Sequence, residues 1–219
     1  MANPVQLDPQ SQAALELLLQ ALPGGFNAIP DIVARRATVE RMLAMMEIPE
    51  NPNVAKDDRT VPGPAGEPDI SVRIYRPRNA TGTLPAIYYI HGGGMVLGTV
   101  TGEDATASLL CDEVNAVVVS VEYRLAPEHP HPAPVEDCYA GLVWTADNAA
   151  ELGIDPDRLA IYGASAGGGL TIATAMLARD RGGPALRFMM PIYPMIDDTN
   201  TTASSHEITD VGIWDRDAN

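Results

Sequence analysis

Leu159-Ala160-Ile161-Tyr162-Gly163-Ala164-Ser165-Ala166-Gly167-Gly168 is the stretch that decides how this chain folds. Its first four residues read as a buried strand, and Leu170 through Ala178 read as a helix. Between them lies a serine whose neighbours are all small. The pattern Gly-x-Ser-x-Gly arises by chance in roughly one chain in fourteen of this length, so the pentapeptide alone says little. The strand before it and the helix after it sharpen the reading. A strand-to-helix turn this abrupt crowds its neighbours, and Gly163, Gly167, Ala164, Ala166 and Gly168 meet that demand. The turn sets Ser165 at a helix N-terminus, where free N–H groups and the helix dipole favour negative charge. A serine hydroxyl is a weak nucleophile and has to be held exposed beside a base.

Upstream, His91-Gly92-Gly93-Gly94 follows the apolar run Leu84-Pro85-Ala86-Ile87-Tyr88-Tyr89-Ile90. Acyl transfer places a negative charge on the carbonyl oxygen, and preorganised backbone N–H donors stabilise it. Only glycine lets a backbone approach so closely. Taken alone, the three glycines could equally be an ordinary turn. Paired with an elbow serine on a later strand they form one device. His91 opens the turn, and the expectation is that it and Gly92 hold the loop by hydrogen bonds and backbone approach, with the general base elsewhere.

The rest of the chain supplies a scaffold. Val72, Ile74 and Tyr75 mark a strand closed by Pro77; Ala116 through Val121 mark another; Arg187 through Tyr193 mark a last one, in which Pro191 fits a sheet poorly. Helical stripes run through Ala105, Leu109, Leu110 and Val114, and through Val135, Cys138, Tyr139, Leu142, Val143 and Ala146. Alternating strands and helices imply an α/β fold, a mostly parallel sheet with helices on both faces. Two helical patterns fall outside that rhythm. Leu15, Leu18, Leu19 and Leu22 mark one, ended at Pro23-Gly24-Gly25; Ile32, Val33, Val39, Met42, Leu43 and Met46 mark the second, from Asp31 to Pro49. The expected organisation is a helical cap over residues 1–50 and an α/β core over 51–219, joined by a polar, Pro-rich linker at Asn51-Pro52-Asn53.

With 219 residues, 46% of them hydrophobic, the chain can bury a real core. Its net charge of −15 repels phosphate backbones and anionic headgroups, which argues against nucleic acid and membrane surfaces as partners. Lys56 is the only lysine. Met1-Ala2-Asn3-Pro4-Val5-Gln6 lacks the features of a signal peptide, and cytoplasm is the expected location. Cys111 and Cys138 sit in helical stripes and read as buried free thiols; neither a metal site nor a cofactor is expected.

Three motifs in order resemble the hormone-sensitive-lipase-like branch of the α/β-hydrolases: His91-Gly92-Gly93-Gly94 with Gly98, Val121-Glu122-Tyr123-Arg124-Leu125-Ala126-Pro127-Glu128, and Gly163 through Gly168. The resemblance runs from about the first strand to the end of the chain. It implies an α/β-hydrolase fold with a partly N-terminal helical cap, and a serine carboxylesterase acting on small-molecule, short-acyl esters. It implies Ser165 as nucleophile, and the N–H groups of Gly93, Gly94 and Ala166 as the oxyanion hole. It gives Arg124, Pro127 and Glu128 a structural role beside the oxyanion loop. Ala164 stands where the family often has Asp.

A serine triad also needs a histidine and an acid to orient it, in this fold in the order serine, acid, histidine. After Ser165 the only histidine is His206. In the resembled family the acid follows a seventh strand and the histidine an eighth, both of which would lie beyond Asn219. A compact alternative uses Asp197 or Asp198 with His206. His129 and His131 precede the serine and read as a loop. The open readings are an esterase whose acid and base lie in sequence not present here, a fragment working with a separate chain, and a ligand-binding protein that keeps the pocket without catalysis. Without further strands the run Arg187–Tyr193 would be an exposed sheet edge, open to a second copy or a complementary C-terminal segment.

Overall fold

The computed structural model describes residues 7–25, 28–45, 49–209 and 214–219. The opening Met1–Gln6 and the Met46 end of the second helical stripe lie outside the described residues. In chain order the elements are α1 (Pro9–Ala21), α2 (Ile32–Met45), β1 (Val54–Val61), β2 (Ile70–Pro77), β3 (Leu84–Ile90), a 3-10 turn (Thr101–Glu103), α3 (Asp104–Val114), β4 (Val117–Glu122), α4 (Ala133–Asp147), the single turn α5 (Ala149–Leu152), β5 (Ile154–Ala164), α6 (Ala166–Asp180), β6 (Phe188–Ile192) and α7 (Ala203–Glu207). The chain divides into two compact units. One comprises Met1–Arg41 with Ile196–Asn219, the other Met42–Met195.

In the first unit, the Asp8 carboxylate accepts the Gln10 and Ser11 amides and so caps α1. Asp31 does the same for α2 through the Ala34 amide. Arg216 ties the C-terminal segment together by donating to the carbonyl oxygens of Asn200 and Ser205.

The second unit is built on a six-stranded sheet in the order β1-β2-β4-β3-β5-β6. The strands from β4 through β3 and β5 to β6 are parallel, whereas β1–β2 and β2–β4 are antiparallel. The central strands are covered on both sides, as their unbroken apolar runs require. Tyr88 and Tyr89 point to opposite faces, as do Val118 and Val119. On one face Tyr75, Tyr89 and Val118 pack against Ala107 and Cys111 of α3. On the other, Val72, Tyr88, Val119 and Ile161 pack against Val135, Cys138 and Leu142 of α4 and Leu170 of α6. Each such side chain taken from water contributes about 1.5–3 kcal/mol.

Several elements differ from the sequence expectation. β1 begins at Val54, directly after Asn51-Pro52-Asn53, a strand ahead of the first one read from the sequence. Only Val54 and Val61, at its two ends, are buried, and Lys56, Asp57, Asp58 and Arg59 lie between. An edge strand covered so little carries no apolar alternation to read. Helix α6 starts four residues before Leu170, since its glycine-rich first turn has no stripe. Pro191 is accommodated because β6 pairs with β5 alone among the described residues, so its missing N–H leaves no gap in the ladder. Phe188, Met189 and Met190 on this strand are 59%, 42% and 44% exposed. Cys111 and Cys138 are buried free thiols, and burial pushes Cys111 up to about 12 and Cys138 well above its ordinary range.

The sole lysine belongs to a network at the start of α3. Asp104 accepts from Tyr75 Oη, Arg73 Nη1 and Lys56 Nζ. Burial alone would raise its pKa, but the hydrogen bonds from Tyr75, Arg73 and Lys56 outweigh it and hold the carboxyl below the ordinary 3.8. A depressed folded-state pKa contributes stability that is complete above the unfolded value and is lost as pH falls through the folded one. The thermal midpoint of the wild type should therefore fall more steeply than that of Asp104→Asn as pH drops below about 4. Parallel curves in that range would show that Asp104 adds no acid sensitivity.

Candidate active site

β3 and β5 are adjacent parallel strands, paired at Ile90 and Gly163. The chain leaving β3 runs to α3 on one face of the sheet, and the chain leaving β5 enters α6 on the other. Loops that diverge at the carboxyl ends of neighbouring strands open a crevice, which is where α/β sheets bind ligands. Both sequence motifs, His91–Gly94 and Gly163–Gly167, are at this crevice.

Ser165 lies between the last residue of β5 and the first of α6, with φ 56° and ψ −120°. A residue with a Cβ is strained there, by about 1–3 kcal/mol, and stays only where its surroundings fix it. Here the Ser165 amide donates to the Ile192 carbonyl at 3.0 Å, and its own carbonyl accepts the Met195 amide at 2.9 Å and the Gly169 amide at 3.1 Å. The turn is thus latched to the segment that ends β6. Its small neighbours follow from the fit. A Cβ on Gly167 would stand 2.2 Å from the Ile90 carbonyl oxygen and 2.5 Å from that of His91.

The glycine loop lies directly against this turn. A Cβ built on Gly92 would be 3.0 Å from the Ala164 carbonyl oxygen and 3.8 Å from Ser165 Cβ. Gly93 has φ +120°, and a Cβ on it would sit 2.2 Å from the Leu97 carbonyl oxygen. The Gly93 carbonyl accepts the amides of Val96 and Leu97, which curls the loop back on itself. Among the described residues, the N–H groups of Gly93, Gly94 and Ala166 have no hydrogen-bond acceptor. Three free donors beside one serine make a place that a developing oxyanion can occupy.

His91 is fully buried, stacked on the Tyr123 ring with centroids 4.2 Å apart. Its Nδ1 lies 2.8 Å from the Gly92 carbonyl oxygen. His129 and His131 are exposed ahead of α4. Asp197, Asp198 and His206 belong to the other compact unit. There Asp197 Oδ1 accepts the Thr199 amide and hydroxyl at 2.9 and 2.7 Å, and His206 is exposed in the last turn of α7. Among the described residues no group of three or more His, Cys, Asp or Glu is placed to hold a metal ion.

The loop is buttressed from β4 and α4. Arg124 donates through Nε and Nη2 to the two oxygens of Asp137, at 2.8 Å each, and its amide donates to Asp137 Oδ2 at 2.9 Å. Two residues on, the Ala126 amide donates to the Met95 carbonyl of the glycine loop at 2.9 Å. Sequence reasoning singled out Arg124 but missed Asp137, which is fully buried. Two acids, Glu136 and Asp137, stand between Val135 and Cys138, and the local spacing does not say which of them is buried. Glu122 and Tyr123 were quoted as part of a motif with no role of their own.

This chain belongs to the α/β-hydrolase fold family, in its hormone-sensitive-lipase-like branch. The family of that fold matches residues 87–219. The chain is 41% identical over 217 residues to carboxylesterase NlhH of Mycobacterium tuberculosis, covering 99% of this chain and 67% of that protein. Among solved structures it resembles a bacterial heroin esterase, with a TM-score of 0.88 and 38% identity over 96% of this chain and 65% of that one. A hyperthermophilic esterase from the archaeon Pyrobaculum calidifontis gives a TM-score of 0.81 and 39% identity, over 94% and 64%. The chain therefore spans about two thirds of the length of these relatives. Among its described residues, no helix is long and apolar enough to cross a membrane.

Proposed function

We propose that this protein is a serine carboxylesterase that hydrolyses short-chain carboxylic esters through an acyl-enzyme on Ser165. The observation that carries the proposal is the position of the Gly92–Gly94 loop beside Ser165, with the N–H groups of Gly93, Gly94 and Ala166 unpaired. In this reading Ser165 Oγ attacks the ester carbonyl, and the three N–H groups receive the negative oxygen of the tetrahedral intermediate. His91, Gly92, Gly163 and Gly167 shape the site without touching substrate. The acid and base come from the strands that the family resemblance places after β6, with Asp197 or Asp198 and His206 as the compact alternative. The opening helices α1 and α2 take the role of the cap that the resemblance implies, and the open edge of β6 is where the sheet is extended, by a C-terminal segment or a second copy. The carboxylesterase and esterase names of the relatives support the activity class.

A fluorophosphonate probe on the complete protein, followed by peptide mass spectrometry, should label Ser165. Label on a different serine that survives Ser165→Ala would overturn the assignment. No label and no turnover in the complete protein would return the chain to the ligand-binding reading. A second test addresses the oxyanion donors. Gly93→Ala must relieve both its φ and its clash with Leu97, which moves the loop. Turnover of p-nitrophenyl butyrate should fall about 100- to 1,000-fold, the usual loss for one such donor. Unchanged turnover in a folded variant would remove Gly93 from the oxyanion hole.

A further inference from the structure

The buried His91 ring poses a question of proton placement. A carbonyl oxygen only accepts, so the 2.8 Å contact with Gly92 requires a proton on Nδ1. In a neutral ring that leaves Nε2 a bare lone pair. Nε2 is buried and has no hydrogen-bond partner. What faces it is a carboxylate, Glu122 Oε1, at 3.6 Å. The Glu122 side chain is 37% exposed and can be hydrated, but Nε2 is buried and has no access to water, so leaving it without a partner is costly. One proton placed between them supplies that partner.

The same carboxylate makes a hydrogen bond at the far end of the loop. Glu122 Oε2 accepts the Val100 amide at 2.8 Å. The topology explains why one residue can do both. β3 and β4 are parallel neighbours with Ile90 opposite Val121, so His91 and Glu122 emerge side by side at the strand ends. Residues 91–100 leave from His91 and return past Glu122 at Val100. One carboxylate therefore stands at both ends of the segment that carries Gly93 and Gly94, bonded at Val100 and 3.6 Å from His91 Nε2. Tyr123 completes the arrangement, stacking on the His91 ring and donating from its hydroxyl to the His91 carbonyl at 3.0 Å.

We propose that Glu122 is the positioning residue of the oxyanion loop, clamping its start through a proton shared with His91 Nε2 and its end through the Val100 amide. The proposal rests on the esterase reading for its catalytic consequence, but the clamp itself does not. Glu122 touches no substrate in this scheme and acts through the geometry of the Gly93 and Gly94 amides. Donors that meet charge only in the transition state affect kcat and leave KM nearly unchanged.

The variants separate the possibilities. Glu122→Ala removes both bonds. Glu122→Gln keeps an oxygen for the Val100 amide and offers an N–H to a neutral His91 Nε2, so it restores the clamp without the shared proton. In the complete protein, kcat for p-nitrophenyl butyrate should fall about 10- to 100-fold in Glu122→Ala, a weaker loss than deleting a donor outright, with KM little changed. Glu122→Gln should recover most of that loss. Nitrogen-15 NMR of the His91 ring should show both nitrogens protonated in the wild type and only Nδ1 protonated in Glu122→Gln. Amide hydrogen exchange at Val100 should accelerate in Glu122→Ala and not in Glu122→Gln. Unchanged kcat in a folded Glu122→Ala, or a wild-type His91 with Nε2 bare, would overturn the proposal. If the wild type neither turns over ester nor takes the fluorophosphonate label, the esterase reading has failed, and the NMR and exchange measurements still decide whether the clamp exists.

Discussion

Ser165→Ala is expected to lower ester turnover of the complete protein by about a millionfold, the scale seen when a serine hydrolase loses its nucleophile. The reasoning is geometric as well as chemical. Alanine has the same backbone preferences as serine at φ 56°, so the bonds from Ile192 and Met195 still fix the turn. The free N–H groups of Gly93, Gly94 and Ala166 remain in place. On the proposed mechanism, what disappears is the atom that forms the acyl intermediate, and water must then attack directly. Thermal unfolding of the variant should match the wild type, which distinguishes lost chemistry from lost structure. Turnover reduced by less than about 100-fold would mean that another group attacks the ester.

The largest effect on stability is expected at Asp137. Its side chain is fully buried and accepts three hydrogen bonds from Arg124. Asp137→Ala leaves the Arg124 amide and two guanidinium nitrogens without those acceptors. The Arg124 side chain is 18% exposed and keeps Glu67, so the loss approaches from below the cost of breaking a fully buried pair, about 3–5 kcal/mol. Against a domain stability of roughly 5–15 kcal/mol that is a large share. The damage should reach the site, because Arg124 begins the segment whose Ala126 amide holds the Met95 carbonyl. Urea denaturation should show the midpoint falling sharply, and Asp137→Asn should keep part of the loss at bay by retaining one acceptor oxygen. A loss under about 1 kcal/mol in the alanine variant would show that solvent takes over the role of the carboxylate.

Much of the core was legible in the sequence because its strands are buried on both faces. Leu84–Ile90 and Val117–Val121 are runs that water cannot interrupt, and α4 has a clear stripe. β1 was not legible, because only its two ends are covered and its middle is charged. The serine turn could be read from glycines that close packing demands. The Asp137 and Glu122 contacts could not, since they depend on side chains meeting across a sheet and a helix, a relation that no local spacing encodes. The compact units are also non-local in sequence, one of them joining the opening helices to Ile196–Asn219.

The latch between Ser165 and the end of β6 also orders events in time. A ribosome releases the chain from its N-terminus, and domains begin to fold as they emerge. When α6 has left the exit tunnel, five strands are available to pair, and the glycine loop already has Glu122 and Ala126 to hold it. The strained turn lacks two of its backbone hydrogen bonds until the Ile192 carbonyl and the Met195 amide arrive. Before that, the backbone at Ser165 is free to relax into an ordinary helix start, with its hydroxyl in no special place. On the esterase reading, the nascent chain is therefore chemically silent until that point, and Ser165 is set only when the sixth strand joins the sheet.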